Sequence, residues 1–220
     1  MSEIEKLRRE YKEFESLFLS HGLSWDAVER VGEKALLTIW DIFELFKACK
    51  TIPDNGFYLE IGSHLGGSLC VAWEGIRVAN RKEVRLLSVD PFVADAKWCE
   101  TYEKNFNDNT THIPNHIHYP AYSQLASEYF ANDSIDLIFV DGDHTFSKVK
   151  TDLIAYWAKL KVGGQMLVHD YNYSPDHAGV IRAIMEVFQF QEYSHPFRSN
   201  LIVIPKVEGN ETLYIPYADT

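Results

Sequence analysis

Phe57-Tyr58-Leu59-Glu60-Ile61-Gly62-Ser63-His64-Leu65-Gly66-Gly67-Ser68 is the stretch on which the fold turns. Its first five residues are a short apolar run. Just before them lies turn chemistry, Thr51-Ile52-Pro53-Asp54-Asn55-Gly56, so the run reads as a buried strand. A glycine-rich turn follows, and a helical pattern begins near 66 and continues to about 79. Strand, glycine turn and helix is how an α/β sheet presents a ligand site at the carboxyl ends of its strands. Glycine at 62 and 66 permits a tight turn and a close approach of backbone to ligand. The helix N-terminus adds free N–H groups for a polar or anionic ligand.

Downstream the pattern alternates. Strands are expected at 84–89, 117–119, 135–140 and 165–169, with helices near 95–107, 122–131, 147–160 and 177–188. Lys161-Val162-Gly163-Gly164 reads as a turn. Two last extended segments, about 190–197 and 200–205, have only Arg198-Ser199-Asn200 around their junction, too little for a crossover, so they pair antiparallel. The expectation is α/β: a doubly wound, mostly parallel seven-stranded sheet with an antiparallel last strand. Upstream, residues 2–20 set Ile4, Leu7, Tyr11, Phe14, Leu17 and Phe18 on one face of an amphipathic helix. Ser24 can cap a short second helix. Residues 34–49 are apolar nearly all round, as expected of a helix buried on both sides. Asp41 and Glu44 are its exceptions, and each needs a partner or water. The chain thus divides into an N-terminal helical extension, 1–54, serving as packing helices, a lid or a homo-oligomer contact, and the sheet domain, 55–220.

Composition narrows the partners. An apolar content of 46% in 220 residues supports a sizeable core. A formal net charge of −11 repels phosphate backbones and disfavours a nucleic-acid substrate. No apolar run reaches the length of a membrane span, and Met1 to Tyr11 lacks the apolar core of a signal peptide. Cys49, Cys70 and Cys99 do not resemble a disulfide framework, so a reducing, cytoplasmic setting is expected.

The glycine turn departs from the dinucleotide fingerprint: Gly62-x-x-x-Gly66-Gly67 is not G-x-G-x-x-G. The acid ending the next strand, Asp90, lies 28 positions after Gly62 (90 − 62), against roughly 20 for a nicotinamide ribose acid. A carboxylate there still accepts hydrogen bonds from ribose hydroxyls. Those spacings turn the reading away from a dehydrogenase.

Glu60-Ile61-Gly62-x-x-x-Gly66-x-Ser68, Ser88-Val89-Asp90, Asp136 to His144 (DLIFVDGDH) and Leu160 to Tyr171 (LKVGGQMLVHDY) together resemble the class I S-adenosylmethionine-dependent methyltransferases, whose sheet is Rossmann-like. The resemblance covers about 55–205. The last two blocks are similar to the metal-dependent small-molecule O-methyltransferase branch, related to catechol, macrolide-sugar and cephalosporin-type enzymes. It implies that Glu60, Gly62, Ser63, Gly66 and Ser68 form the loop against the methionine and ribose of S-adenosylmethionine, and that Asp90 holds the ribose hydroxyls. Tyr122 and Ser123 fall at the adenine, and Asp141 borders the cofactor. It further implies a divalent metal, Mg²⁺ or a transition ion, at Asp141, His169 and Asp170. His169 stands where the family usually has a carboxylate or an amide. Asp141 and His144 are the catalytic candidates. His144 lies three residues after Asp141, where related enzymes often place a lysine base, and histidine titrates near neutrality. It can equally serve as a cap or a loop hydrogen-bond partner, and Asp143 reads as a turn residue.

The chemistry fits hydroxyl methylation. The attacking oxygen must lose a proton, and a divalent cation lowers its pKa and fixes it in line with the methyl group. Two further readings stand beside this: a metal-independent methyltransferase in which Asp141 and Asp170 shape the pocket, and a non-catalytic cofactor-binding or assembly protein. The loop Tyr171-Asn172-Tyr173-Ser174-Pro175-Asp176-His177 can flank a planar or sugar acceptor. His112, His116 and His118 read as surface residues.

Overall fold

The structure, a computed structural model, describes residues 1–92, 96–172, 174–189, 192–210 and 213. Six strands are defined among them: β1 (Phe57–Ile61), β2 (Arg85–Val89), β3 (His116–Tyr119), β4 (Ile135–Val140), β5 (Leu160–Val168) and β6 (Ile202–Pro205). Their order is β3-β2-β1-β4-β5-β6, all parallel except the last pair. Chain direction across the sheet reverses between β1 and β4, and there an open α/β sheet leaves a crevice.

The sheet has six strands where seven were expected. Residues 190 and 191 of the expected sixth strand lie outside the described residues. The rest of that segment contributes a single antiparallel bridge, Ser194 to Val203. The other departure is at 161–164. Rather than ending before a new strand, these residues belong to β5 as a large bulge. Ile135 faces Leu160 while Leu137 already faces Gln165, and Gly163 takes φ +87° to absorb the extra residues.

Side chains alternate between the faces of the sheet. Tyr58, Leu86, Leu137, Phe139 and Leu167 point into a core shared with helices α1 (Glu3–Ser20), α2 (Trp25–Val31), α3 (Ile39–Cys49) and α4 (Gly67–Val78). Leu59, Ile61, Ile138, Val140, Met166 and Val168 point into a second core closed by α7 (Phe146–Trp157) and α8 (Ala178–Val187). Between these helices in sequence lie α5 (Ala96–Thr110) and a short α6 (Ser123–Ser127). No described helix is long and apolar enough to cross a membrane.

The N-terminal helices are integral to the first core. Leu7, Tyr11 and Phe18 of α1 are buried in the same cluster as sheet residues, and Phe18 packs on Trp40 and Phe43. Helix α3 starts at 39, not 34, because Leu36 takes φ +50° and Thr38 is extended. Thr38 and Asp41 close a reciprocal capping box there. The first turn of α4 presses on this prefix so closely that a Cβ at Gly67 would lie 2.2 Å from the Ala35 backbone. Gly67→Ala is therefore expected to cost about 1–3 kcal/mol by overpacking. A lowered urea midpoint with an unchanged slope would show it.

Candidate functional site

The carboxyl ends of β1, β2, β4 and β5 open into one cavity of about 840 Å³, within the size range of a cofactor site. Ile61, Gly62, Ser63, His64 and Ser68 line it from β1 and the glycine turn, and Val89 to Phe92 from the end of β2. Tyr122 to Gln124 and Asp152 also line it, as do Asp141 to His144, His169, Asp170 and His177, and Lys34 to Leu36 bring the prefix to it.

The glycine turn is shaped first by protein contacts. Gly62 takes φ +84°, and a Cβ on it would lie 2.0 Å from the carbonyl oxygen of Asp141. Gly66, at φ +79°, faces Thr110 and Phe106 of α5. Asp90 ties the turn from the neighbouring strand. Its Oδ2 accepts from the N–H of Ser63 at 2.8 Å and of His64 at 3.1 Å, and its Oδ1 from the N–H of Phe92 at 2.8 Å.

Of the cofactor residues expected from sequence, Gly62, Ser63, Ser68, Asp90, Tyr122, Ser123 and Asp141 line the cavity, and Glu60 and Gly66 do not. Glu60 lies fully buried, accepting a hydrogen bond from the Tyr58 hydroxyl at 3.0 Å. Burial pushes its carboxyl from 4.5 up to about 8, and hydroxyl donors only partly oppose this. Ser123 and Gln124 both donate to Oδ1 of Asp152, at 2.6 and 3.2 Å. Burial raises the Asp152 carboxyl to about 6.

At the end of β5 the chain turns sharply, with Asp170 at φ +62°. His169 is 7% exposed and stands among three carboxylates. Its Nδ1 lies 3.0 Å from Asp141 Oδ1 and 3.5 Å from Asp170 Oδ1, and its Nε2 lies 3.4 Å from Asp41 Oδ2. Burial opposes its charge, but Asp141, Asp170 and Asp41 outweigh burial and hold the imidazole well above its usual pKa. Asp170 also receives His144 Nε2 at 2.8 Å on Oδ2 and His177 Nδ1 at 3.4 Å on Oδ1. Burial raises the Asp170 carboxyl, and the three histidines more than reverse that, leaving it below the ordinary value. Asp143 accepts from the Thr145 N–H at 2.6 Å, which makes it a turn residue, as its position suggested.

The metal candidates from sequence do come together. One potential ligand atom from each of Asp141, His169 and Asp170 falls within 4.8 Å of the others, and so does one from each of His144, Asp170 and His177. The histidines at 116 and 118 are a correction. They are half-buried, bind the Ser88 hydroxyl at 2.9 and 3.2 Å and pack on Phe106, so they are structural rather than surface residues. Of the acceptor-loop aromatics, Tyr171 is partly buried and Tyr173 lies outside the described residues.

Sequence reasoning marked Asp41 only as a carboxylate in need of a partner and His177 only as the end of the acceptor loop, without placing either beside the strand-end carboxylates. Asp152 carried no signal, because what places it is the packing of α7 beside β4 and β5.

A strand-ordered crevice with this glycine turn and Asp90 defines a nucleoside-cofactor α/β protein. The family described as "Methyltransferase domain" matches residues 59–171, just over half of the chain. The chain belongs to this family and is a class I S-adenosylmethionine-dependent methyltransferase. A protein of Acanthamoeba polyphaga mimivirus, R132, is 29% identical over 74% of each chain. Among solved structures, the O-methyltransferase NovP superposes with a TM-score of 0.61 at 15% identity, over 78% of this chain and 81% of that one. CalS11, a TDP-rhamnose 3′-O-methyltransferase of calicheamicin biosynthesis, gives 0.59 at 15% identity, over 86% and 82%. These structures share the fold.

Glu60 supplies a pH test. With its folded pKa raised, its contribution to stability is full below 4.5, declines as pH rises and is gone above about 8. The melting temperature of the wild type is expected to fall between about pH 5 and 8 more steeply than that of Glu60→Gln. Parallel profiles would contradict the assignment.

Proposed function

We propose that the chain transfers the methyl group of S-adenosylmethionine to a hydroxyl oxygen of a small molecule, assisted by a divalent cation. The observation that carries this reading is one cavity lined both by the Asp90-bound glycine turn and by Asp141, His144, His169 and Asp170. NovP and CalS11, whose fold this chain shares, are O-methyltransferases, and CalS11 acts on a sugar nucleotide.

The residues fit the cofactor. Asp90 lies at the end of β2 on the cavity wall, and its oxygens have lone pairs to spare for ribose hydroxyls. Ser63 and Ser68 border the turn, and Tyr122 and Ser123 lie where the adenine is expected. The residues also fit a cation: two carboxylates and an imidazole converge, and the far nitrogen of that imidazole faces another carboxylate. When bound, a cation there would acidify the acceptor hydroxyl and orient it.

The rest falls to the protein. His144 is the base. Asp170 accepts from its Nε2–H at 2.8 Å, which selects the tautomer whose Nδ1 is free to take the hydroxyl proton. Asp141 and Asp170, fixed by the strand ends, hold the reacting oxygen beside the cofactor. Lys34, Ala35 and Leu36 complete the acceptor side, so the prefix shapes substrate choice. A metal-independent transfer has one observation in its favour: His169 already brings positive charge to the same carboxylates.

Calorimetric titration tests the first claim. S-adenosylmethionine is expected to bind in the low-micromolar range, with Asp90→Ala weakening it by roughly tenfold or more, the loss of hydrogen bonds to a charged group. No binding to the wild type would overturn the reading. Labelled methyl transfer to a panel of hydroxylated small molecules tests the chemistry. EDTA is expected to abolish it, and full activity in excess EDTA rejects the cation in favour of the metal-independent route. His144→Ala is expected to lower kcat by roughly 10²–10⁴-fold with cofactor affinity kept. An unchanged pH–rate profile in that variant would remove His144 from the mechanism.

A further inference from the structure

Among the described residues, Asp41 is the one carboxylate that the N-terminal extension brings to the sheet-edge histidine, and it is completely buried. Its Oδ1 accepts from Ser199 Oγ at 2.8 Å and from the Asn200 N–H at 2.6 Å. Its Oδ2 accepts from the Thr38 N–H at 3.0 Å and Thr38 Oγ1 at 2.7 Å, with Asn200 Nδ2 at 3.5 Å. Donors on both sides stop the carboxylate from rotating. Oδ2 also faces His169 Nε2 at 3.4 Å.

A helix cap needs only the Thr38 contacts, so capping alone does not explain why the carboxylate also reaches the imidazole. A fixed acceptor at Nε2 orients the ring and holds a proton on that nitrogen, so a cation at this site would displace the proton of Nδ1, which lies 3.0 Å from Asp141 Oδ1 and 3.5 Å from Asp170 Oδ1. A metal-binding histidine commonly donates its other N–H to a carboxylate, which fixes both tautomer and ring orientation.

We propose that Asp41 is the positioning residue of a mixed histidine–carboxylate cation centre. Through His169 it makes that centre prefer a first-row transition ion such as Mn²⁺ over Mg²⁺. The inference rests on the cation-assisted reading above. Mg²⁺ takes oxygen ligands, whereas an imidazole nitrogen favours the transition series. The extension is then part of the reaction centre, linking helix α3 and the 199–200 turn to the end of β5.

The test is calorimetry on the full chain with Mn²⁺ alone and Mg²⁺ alone, using the wild type, Asp41→Asn and His169→Asp. The wild type is expected to bind Mn²⁺ at least about tenfold more tightly than Mg²⁺. Asp41→Asn should lose roughly 10–100-fold for Mn²⁺ and little for Mg²⁺, and His169→Asp should bring the two ions close to parity. Equal Mn²⁺ affinity in the wild type and a folded Asp41→Asn overturns the role of Asp41 and leaves the cation reading standing. If neither ion binds the wild type while S-adenosylhomocysteine still does, both the role and the cation reading fall, and cofactor binding survives. If Asp41→Asn does not fold, the ¹⁵N spectrum of His169 in the wild-type chain decides. Added Zn²⁺ should shift Nδ1 while Nε2 keeps its proton, and an unmoved Nδ1 overturns the proposal.

Discussion

The ends of β1 and β4 meet so closely that residue 62 has no room for a side chain. The site depends on that contact: a Cβ there would collide with the Asp141 carbonyl at 2.0 Å. Because the two backbones touch, the glycine turn and Asp141 are held in fixed relation. β2 adds Asp90 on one side and β5 adds His169 and Asp170 on the other, each in parallel register. Glycine is required here by the protein's own packing before any ligand arrives.

Charge is handled in the same way. Taken singly, Asp41, Asp170 and His169 would each be costly to bury. Together they form a run of opposite charges, Asp41 to His169 to Asp141 and Asp170, with His144 and His177 beside Asp170. Burial moves each group toward neutrality, and the neighbouring opposite charges outweigh it. Glu60 has no cation beside it, and it keeps its proton instead.

Much of this could be read from the chain. The β1 and β4 limits match their apolar runs residue for residue, because buried parallel strands leave a strong signature. The alternation of strands and helices gave the sheet, and Asp90 and Asp141 fell at strand ends where the crevice forms. Long-range geometry was less legible. The 161–164 segment has turn residues, yet its bulge is absorbed into β5 by pairing with β4 and β6. Glu60 and Gly66 sit within the motif, but side-chain direction in β1 and the packing of α5 keep them off the cavity wall. Asp41 was recognisable as needing a partner, and no pattern within the sequence specified His169, 128 residues away.

The link from Asp41 to Ser199 and Asn200 also bears on how the chain folds. It joins residues 158 and 159 positions apart, and Leu201 lies in the same apolar cluster as Leu7 and Phe18. Contacts of such sequence separation form late and slow folding, because a long loop must close before they give any return. During synthesis, α3 can pack on α4 of the same core early, but the Asp41 carboxylate must wait until residues 199 and 200 have emerged before its donors are in place.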